Sequence, residues 1–418
     1  MAHVLVVSLL FPPDAVSTAQ ILGDLSVDLG RLGHSVSVIT TTPHYNRDAE
    51  ADARQPRRPW WGRLVQRSDF HGMPVFHTAM PRKTGSIPMR LLAWSLFHFL
   101  SLIVGVVAIR KVDVIITPSP PLTMGVVAWL LGAWHRAPFL YNVQEIYPDI
   151  AINLGAVRNR TVIRLLYGLE RFVYSRAARI TVIADQMRQR LLEKGVSADR
   201  MEVIPNFVDV EVLQSVPAPN AFTKEFGLDG RFIVSYAGNL GPAQGLDTLL
   251  DAARLLRDVP AIAIVLIGNG SLWARLAARI EDETLSNVHL VPYQPFSKVP
   301  SIYGASDLSV VAQAVATGTD AVPSKVYRIM ACGGAVLAAT NPQSDLARLV
   351  TTAGCGFVVG QQAPDAIAQA ILQAHSNRAA LAAMGAAGRR HVMTHYLRPV
   401  VTRRYDALLR GVILARHA

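Results

Sequence analysis

Apolar runs of strand length alternate along this chain with segments that carry apolar residues at helical spacing. The run from His3 to Ser8 is followed by a turn with two prolines, and residues 18–33 then repeat leucine and isoleucine every three or four positions. A second apolar run, Ser35 to Thr41, comes next. Buried parallel strands read as continuous apolar runs and helices pack across them. The pattern predicts a doubly wound α/β domain that starts with a buried strand. A signal peptide is not expected, because the first residues lack the positively charged segment that such a peptide needs.

The same alternation continues to about residue 205 and then restarts. Further strands of the first half are predicted at 73–80, 112–117, 138–145, 179–184 and 201–205. The segment Val208 to Gly230 contains two prolines and several polar residues, and a second series of strands and helices begins at Phe232. The chain is therefore predicted to form two α/β domains, the first covering 1–207. In open α/β sheets ligands bind at the carboxyl ends of the strands, so we expect the loops there to carry the chemistry.

Composition limits the possible partners. The 418 residues carry a formal net charge of +11, with 51% hydrophobic and 17% charged residues. A basic surface implies an anionic partner, either nucleic acid, a phosphorylated small molecule or an anionic lipid surface. The chain has two cysteines, Cys332 and Cys355. The sequence contains no CxxC motif and no cluster of cysteines and histidines. This argues against a disulfide scaffold and a structural zinc site, and it is typical of a reducing compartment.

One loop of the second half has the pattern of an anion-binding site. Thr317 to Gly334 reads TGTDAVPSKVYRIMACGG and follows the predicted strand LSVVAQ. Ser324 stands where a helix N-cap is expected, and Lys325 lies in the first helical turn. Exposed helix amides together with Lys325 suit an anion. A plain strand-to-helix turn with a solvated lysine fits the same residues.

Two glycine-rich turns of the second half add to this pattern. GNLGPAQGLDTLL begins at Gly238, and its further glycines, Gly241 and Gly245, let backbone amides approach a phosphate. IGNGSL, with Gly268, is a second turn of this kind. Neither turn matches a dinucleotide fingerprint. Together with Lys325 they indicate a binding site for a nucleotide diphosphate.

The first half offers carboxylates and a histidine at strand ends. Glu145 follows a predicted strand, and a carboxylate there could act as a base or orient an acceptor hydroxyl. Glu145 and the nearby Asp149 could equally cap the next turn and helix. His44 ends another strand, and a loop histidine is often structural. Metalloprotease, α/β-hydrolase and P-loop motifs are all missing from the sequence.

A long apolar segment interrupts the first half. Residues 91–109 read LLAWSLFHFLSLIVGVVAI and carry no formal charge, with basic residues on both sides. Three structures fit: a buried crossover helix, a helix in the membrane interface, and a membrane span. Five arginines between 54 and 67 and several tryptophans favour the interfacial helix and an anionic lipid surface.

In combination these motifs resemble the family-4 type of retaining GT-B glycosyltransferases, in particular the bacterial capsule and exopolysaccharide branch that includes the colanic-acid fucosyltransferase. They follow the family's order over most of the chain. The residues that carry the resemblance are FPPD (11–14), GHSVSVITTTPHY (33–45), VQEIYPD (143–149), IPNFVD (204–209), GNLGPAQGLDTLL (238–250), IGNG (267–270), ASDLSVV (305–311) and VPSKVYRIMACGG (322–334).

The resemblance implies two facing Rossmann-like domains, 1–207 and 208–395, with a C-terminal helix, 396–418, that crosses back to the first domain. It implies transfer of a sugar, with retention of configuration, from a UDP- or GDP-linked donor in the second domain to an acceptor in the first. The acceptor would be a lipid-linked saccharide or glycan of exopolysaccharide, capsule or O-antigen synthesis. GDP-fucose is one donor that the branch suggests. An enzyme of this kind is expected at the inner face of the cytoplasmic membrane, bound through 54–67 and 88–111, without nucleic acid, metal or cofactor.

The chain departs from the family pattern in its second half. The family has two glutamates where Asp320 and Arg328 stand here, and Arg328 cannot accept a hydrogen bond from ribose. The family's phosphate-binding cations are replaced by Asn239 and Gln244, which leaves Lys325 as the best remaining cation for the diphosphate, with Lys298 as a second candidate. Gln144 replaces a histidine. Arg328 could contact a phosphate or the base.

These arguments assign a set of site residues. We expect Lys325 to neutralise the leaving diphosphate, Asp320 to bind sugar hydroxyls and Glu145 to orient or deprotonate the acceptor. Two other functions fit the same motifs: a non-catalytic binding subunit of a polysaccharide assembly complex, and a sugar-nucleotide epimerase. The expected donor-binding residues are Gly238, Asn239, Gly241, Gln244, Gly245, Gly268, Asn269, Ser324, Lys325 and Arg328, and the expected acceptor-binding residues are Pro13, Asp14, Thr18, His44, Tyr45 and Asp149.

Overall fold

A computed structural model describes residues 1–14, 16–44, 49–80, 87–315 and 322–417 of the chain. The chain divides into two compact units, unit 1 with Met1–Asn206 and Arg398–Ala418, and unit 2 with Phe207–Leu397. Both units are α/β. Two of the expected site residues, Tyr45 and Asp320, lie outside the described residues.

Unit 1 is built on a mainly parallel sheet. Within the described residues the sheet has nine strands in the order β3-β4-β5-β2-β1-β6-β7-β8-β9. The pairs from β5 to β9 are parallel, and β3 and β4 pair antiparallel at one edge. The strands are β1 (His3–Val7), β2 (Ser35–Thr41), β3 (Arg58–Trp61), β4 (Val65–Phe70), β5 (Met73–Thr78), β6 (Val114–Ser119), β7 (Phe139–Val143), β8 (Arg179–Val182) and β9 (Met201–Val203).

The central strands of unit 1 are buried on both faces, which explains their continuous apolar sequence. Residues Val4 to Val7 of β1 are almost completely buried, as are the residues of β6 and β7. Helices cover the sheet. They are α1 (Ser17–Arg31), α2 (Ala49–Arg54), α3 (Ile87–Val107), α4 (Met124–His135), α5 (Asp149–Asn153), α6 (Arg160–Arg176), α7 (Asp185–Glu193) and the C-terminal α16 (Arg398–His417).

The last helix packs on the first. Arg398 at the start of α16 donates to the carboxylates of Asp24, at 2.7 Å, and Asp28, at 2.9 Å. Farther along α16, Asp406 lies 2.6 Å from Nε2 of His34, which follows α1. These contacts join residues about 370 positions apart in sequence, and they place the end of the chain in unit 1.

Unit 2 is built on a parallel sheet, and helices alternate with its strands along the chain. Its described part has six strands in the order β12-β11-β10-β13-β14-β15. The strands are β10 (Phe232–Ala237), β11 (Ile262–Ile267), β12 (Val288–Val291), β13 (Leu308–Ala312), β14 (Ala335–Ala339) and β15 (Gly356–Val359). The helices are α8 (Ala221–Glu225), α9 (Leu246–Leu255), α10 (Trp273–Asp282), α11 (Val299–Ala305), α12 (Lys325–Ala331), α13 (Asp345–Ala353), α14 (Pro364–Ser376) and α15 (Arg378–His395).

The hairpin of β3 and β4 was not predicted. Its outer strand, Arg58–Trp61, is exposed along its whole length, so its sequence has no apolar alternation that would reveal a strand. Pairing with β5 through β4 creates it, since Val65 and Thr78 begin a six-residue antiparallel ladder. The five arginines noted between 54 and 67 therefore lie on α2, the hairpin and the chain between them.

The apolar segment 91–109 forms most of α3. The helix buries Ala93, Phe97, Leu100 and Val104 on one side and exposes other apolar residues. Within the described ranges, none of the helices combines the length and the hydropathy that crossing a membrane requires.

Candidate functional site

The loops that the sequence assigns to a donor lie at one edge of unit 2. β10 pairs in parallel with β11 and with β13, so the carboxyl ends of these three strands lie side by side. The glycine turn that starts at Gly238 follows β10, and the loop with Gly268 and Asn269 follows β11. This edge carries the expected donor residues that precede α11.

A buried tyrosine holds the glycine turn. Tyr236 is the penultimate residue of β10, and its side chain is fully buried. Its hydroxyl can donate to the carbonyl oxygen of Asn239 at 2.8 Å or to Oε1 of Gln244 at 3.0 Å. Because both partners lie in the turn, the tyrosine fixes the loop from below. Burial raises the pKa of Tyr236, so the hydroxyl stays protonated.

The turn ends at the start of α9. Gly245 has φ +58° and ψ +33°, a left-handed conformation that favours glycine, and it precedes the first residue of the helix. Among the residues that the structure describes, no side chain caps α9 at this end. Its first amides therefore point toward the same edge of the sheet as the turn, where they favour negative charge.

The second glycine loop packs against the first. The amide of Leu240 donates to the carbonyl oxygen of Asn269 at 2.9 Å, and the amide of Leu272 donates back to Leu240 at 3.0 Å. A Cβ atom on Gly268 would collide with the carbonyl oxygen of Gly238. The contact between the two loops therefore requires glycine at position 268. This packing requirement is separate from the phosphate binding that the sequence predicts for the same residue.

Lys325 places its ammonium group under the glycine turn. Nζ lies 3.8 Å from the centroid of the Tyr236 ring, and a Cβ atom on Gly238 would lie 2.8 Å from it. The Nζ atom is buried and has no hydrogen-bond partner among the residues that the structure describes. Burial, and secondly the charge of Arg328, lower the pKa of Lys325 to about 7. A buried cation without a hydrogen-bonding partner is costly, and an anion on the turn would satisfy it.

Two neighbours of Lys325 differ in their roles. Ser324 precedes α12, but its side chain does not cap the helix, because its backbone is already helical (φ −59°, ψ −18°) and a capping residue is normally extended. The capping role expected for Ser324 is therefore wrong. Arg328, one turn into α12, places its guanidinium 5.1 Å from the centroid of the Phe296 ring. This contact presents a flat cationic and aromatic surface.

In unit 1 the structure brings together two loops predicted to bind the acceptor. Oδ1 of Asp14, after β1, accepts a 3.0 Å hydrogen bond from the amide of His44, after β2. Nδ1 of His44 lies 3.0 Å from Oγ1 of Thr41. Asp14 and Pro13 are buried, while Thr18 in the first turn of α1 is half-buried. Asp14 is thus held by the neighbouring loop.

Glu145 lies just beyond β7 at the same edge of unit 1. β1, β6 and β7 are consecutive parallel strands, so their carboxyl ends share this edge with the Asp14 loop. Glu145 is half-buried, and burial raises the pKa of its carboxyl group. Its own carbonyl oxygen accepts from Oγ of Ser119 at 2.9 Å. A carboxyl group with a raised pKa suits proton transfer at neutral pH.

The residue before Glu145 has a structural role. Gln144 is buried and uses both ends of its amide inside the unit: Nε2 donates to Asn142 at 2.6 Å, and Oε1 accepts from Asn206 at 2.9 Å. Asn142 in turn donates to Thr181 and to the hydroxyl of Tyr405 on α16. The network fixes the end of β7 and orients Gln144 into the protein interior.

Asp149 is engaged in ion pairs. Its carboxylate lies 2.8 Å from Nζ of Lys194 and 3.4 Å from Arg190, and Lys194 also contacts Glu170 at 2.9 Å. Asp149 is the first residue of α5, which begins after Pro148. These ion pairs give Asp149 a structural role inside unit 1. Its expected contact with an acceptor stays a prediction.

Two further observations concern possible binding sites. In the part of the chain that the structure describes, no group of three or more His, Cys, Asp and Glu side chains could hold a metal ion. A cavity of about 510 Å³ in unit 2 is lined by residues that include Arg231, Asp307 and Arg378. It lies at the amino ends of β10 and β13, opposite the edge with Lys325, and so it is separate from the site described above.

Sequence reasoning missed two aromatic residues of this edge. Tyr236 supports both the glycine turn and Lys325, and Phe296 carries the guanidinium of Arg328. A tyrosine directly before the glycine turn, as in FIVSYAG, was a signal for Tyr236, because its hydroxyl can reach the backbone of the turn. Phe296 begins a three-residue 3₁₀ helix, Phe296–Lys298, which is too short for its spacing to carry such a signal.

Comparison with known proteins agrees with this architecture. The model of the family "Glycosyl transferase 4-like domain" matches residues 18–206, and that of "Glycosyl transferases group 1" matches 220–391. WcaI of Escherichia coli (strain K12), whose name assigns it to colanic acid biosynthesis as a glycosyl transferase, is 26% identical over 89% of this chain and 91% of its own. A GDP-mannose-dependent alpha-(1-6)-phosphatidylinositol monomannoside mannosyltransferase of Mycobacterium tuberculosis (strain CDC 1551 / Oshkosh) is 24% identical over 57% of this chain and 63% of its own.

Solved structures show the same fold. The crystal structure of Anabaena Alr3699/HepE in complex with UDP-glucose aligns with a TM-score of 0.74 at 16% identity, covering 98% of this chain and 100% of the other. The predicted fold class, GT-B with two Rossmann-like α/β domains, is confirmed by this similarity. The two family models together extend over most of both units. The chain therefore belongs to the GT-B glycosyltransferases, with a glycosyl transferase 4-like first domain and a second domain of the glycosyl transferases group 1 family.

Proposed function

We propose that this glycosyltransferase moves a sugar from a nucleotide-sugar donor bound by unit 2 to a lipid-linked saccharide or glycan acceptor of exopolysaccharide biosynthesis. The name of the WcaI relative supports a pathway of the colanic acid type. The mannosyltransferase relative is named for a lipid acceptor, phosphatidylinositol monomannoside.

The proposal depends mainly on one observation, the ammonium group of Lys325. Its Nζ atom is buried beside Gly238 on the ring of Tyr236, without a hydrogen-bond partner among the described residues. A diphosphate seated on the glycine turn would accept a charge-assisted hydrogen bond from it and interact with the amides at the start of α9. In the transfer step, negative charge grows on the leaving diphosphate. A cation and amides already in place stabilise that charge without reorganisation.

Other residues have roles in the proposal that follow from their chemistry. The surface formed by Arg328 and Phe296 would contact the base or a phosphate of the nucleotide, since a guanidinium donates but cannot accept a ribose hydrogen bond. Asp320 stays a prediction for the sugar hydroxyls. The donor base stays open between guanine and uracil, because one relative is named for GDP-mannose and a structural neighbour holds UDP-glucose.

The acceptor would lie at the edge of unit 1 near Glu145. A carboxyl group with a raised pKa can orient an acceptor hydroxyl or take its proton as the new bond forms. Retention of the anomeric configuration follows from the family resemblance. We further propose that the enzyme works at the inner face of the cytoplasmic membrane, with residues 54–67 and 88–111 turned toward anionic lipid.

The proposal is tested with purified protein, membrane lipid extract and a panel of UDP- and GDP-sugars, with free nucleotide and glycolipid product as readouts. We expect one donor to give both products and Lys325→Met to weaken nucleotide binding. Lys224→Met is the matched control, because Lys224 is an exposed lysine of the same unit, on α8. A chain without saturable UDP or GDP binding would instead be a scaffold subunit. Release of free sugar without an acceptor would indicate an epimerase.

A further inference from the structure

Two histidines lie on the same face of α15, near its carboxyl end. His391 and His395 are four positions apart, a spacing that makes side chains neighbours on the surface of a helix. Their ring centroids are 4.6 Å apart, and the ring planes meet at 50°. Neither imidazole has a hydrogen bond to another of the described residues. Two histidines at this helical spacing can bind one transition-metal ion together.

The separation of the two rings indicates which coordination geometry fits. A metal ion bonded to a ring nitrogen at about 2.0–2.1 Å lies roughly 3.2 Å from the centroid of that ring. Two rings 4.6 Å apart that bind the same ion therefore subtend an angle of roughly 90° at it. This is the angle between neighbouring ligands of a square-planar or octahedral ion, as Cu²⁺ and Ni²⁺ prefer. A tetrahedral ion such as Zn²⁺ would need the rings about 0.6 Å farther apart.

The surroundings of the histidine pair favour a metal ion. Metal ions bind neutral imidazole, and burial, followed by the charge of His395, lowers the pKa of His391. His391 is half-buried while His395 is exposed, so water molecules can reach an ion between them. His395 is also the last residue of α15, and the carboxyl end of a helix attracts cations because its unpaired carbonyl groups carry partial negative charge.

Aromatic packing connects the histidine pair to the helix of the donor edge. The ring of Tyr396, the residue after α15, lies 5.8 Å from the ring of His391 and 4.6 Å from the ring of Tyr327. Tyr327 is buried on α12, two residues after Lys325. The histidine pair is therefore one aromatic ring away from α12, and a ligand that fixes the pair also fixes this packing.

We infer that His391 and His395 form a binding site for one divalent transition-metal ion, whose geometry suits Cu²⁺ or Ni²⁺ better than Zn²⁺. The two imidazoles are its protein ligands and water completes the coordination, since no group of three possible protein ligands occurs among the described residues. The ion fixes the last turn of α15 and, through Tyr396, stabilises the packing on α12. It takes no part in sugar transfer, so the inference is independent of the proposed function.

Metal titration tests the inference directly. The full chain is stripped of metal with a chelator, dialysed and titrated near neutral pH with Ni²⁺, Cu²⁺ or Zn²⁺ salts. We expect a site for one ion that binds Cu²⁺ most tightly and Zn²⁺ less tightly than Ni²⁺. His391→Asn and His395→Asn should each lower the affinity of this site roughly 100-fold, because the ion loses one of two linked ligands. His71→Asn is the control, since His71 is exposed and its left-handed backbone (φ 52°) accepts asparagine.

Spectroscopy and stability separate metal binding from simple ring packing. Electron paramagnetic resonance of bound Cu²⁺ should show coupling to imidazole nitrogen that both variants reduce. Ni²⁺ should raise the Tm of the wild type and of His71→Asn, and leave that of the two variants almost unchanged. Circular dichroism reports folding, and the exposed position of His395 keeps the test valid if replacing the half-buried His391 disturbs the fold.

Three results would overturn the inference. The first is a wild type that binds neither Ni²⁺ nor Cu²⁺ saturably. The second is equal affinity in the wild type and in folded His395→Asn, which would place the ion elsewhere. The third is tighter binding of Zn²⁺ than of Ni²⁺, which would contradict the geometry deduced from the ring separation. Nucleotide binding and sugar transfer are measured separately, so their failure would leave the metal result intact.

Discussion

Replacing Lys325 by methionine should make the folded protein more stable and weaken nucleotide binding. In the wild type, the ammonium group is buried against Tyr236 without a hydrogen-bond partner among the described residues. Burial is the main cause that lowers the pKa of Lys325 from 10.5 to about 7, and Arg328 adds to it. Methionine keeps an unbranched apolar side chain at this position and removes the charge.

The magnitude follows from the two pKa values. Between pH 7 and 10.5 the unfolded chain binds a proton at Lys325 that the folded chain does not, so the stability of the wild type rises with pH over this range. Burial of Lys325 lowers the free energy of unfolding by up to about 5 kcal/mol near pH 6 and by up to about 2 kcal/mol near pH 9. Lys325→Met removes the cost at both pH values. Its stabilising effect should therefore be about 3 kcal/mol larger at the lower pH.

Urea unfolding of the nucleotide-free protein at both pH values measures the difference. Lys224→Met is the control and should change the free energy of unfolding little, because this lysine is exposed on α8. Nucleotide titration of the same proteins should show affinity reduced roughly 10- to 100-fold in Lys325→Met, the loss of a charge-assisted hydrogen bond. Wild-type binding near pH 8 should take up a proton, and the variant should take up none.

Two results would refute the reasoning. A methionine variant that is less stable than the wild type near pH 6 would mean that the ammonium group already has a strong partner in the free protein. A stabilisation of the same size at both pH values would mean that the pKa of Lys325 is not lowered in the fold.

Three further predictions concern Tyr236, which supports the glycine turn, the proposed base Glu145, and Arg398 of the last helix. Tyr236→Phe keeps the ring beside Lys325 but loses the hydroxyl, so it should cost about 1 kcal/mol of stability and weaken nucleotide binding in titrations, with Tyr236→Leu weakening it more. Glu145→Gln should lower the transfer rate about 10²–10⁴-fold at unchanged nucleotide affinity and remove the rise of activity with pH through the raised pKa of Glu145. Arg398→Met breaks the partly buried pair with Asp28 and should lower the free energy of unfolding by about 2–4 kcal/mol in urea, without affecting nucleotide affinity in the folded state.

The secondary structure was largely predictable because parallel strands buried on both faces have a distinctive sequence. The runs at His3, Ser35 and Phe232 each form a strand at the predicted place. The hairpin of β3 and β4 was not predictable, because an exposed edge strand carries no apolar pattern. Its existence depends on pairing with β5.

The candidate site was predictable in part. Glycines between a strand and a helix indicated the turn at Gly238, and a lysine at a helix start indicated Lys325, because local backbone requirements appear directly in the sequence. The partners of these residues come from distant positions. Asp149, for example, forms an ion pair with Lys194, and the sequence around Asp149 does not indicate this partner.

The sequence by itself determined the alternation of strands and helices, the positive charge and the residues of the glycine turn and of α12, since each depends on neighbours in the chain. The tertiary structure decided what surrounds each charge. It buried the Lys325 ammonium on Tyr236, 89 residues earlier, and left Ser324 with a helical backbone that does not cap. Burial and long-range packing set the pKa of a side chain, and neither is encoded in the spacing of residues along the chain.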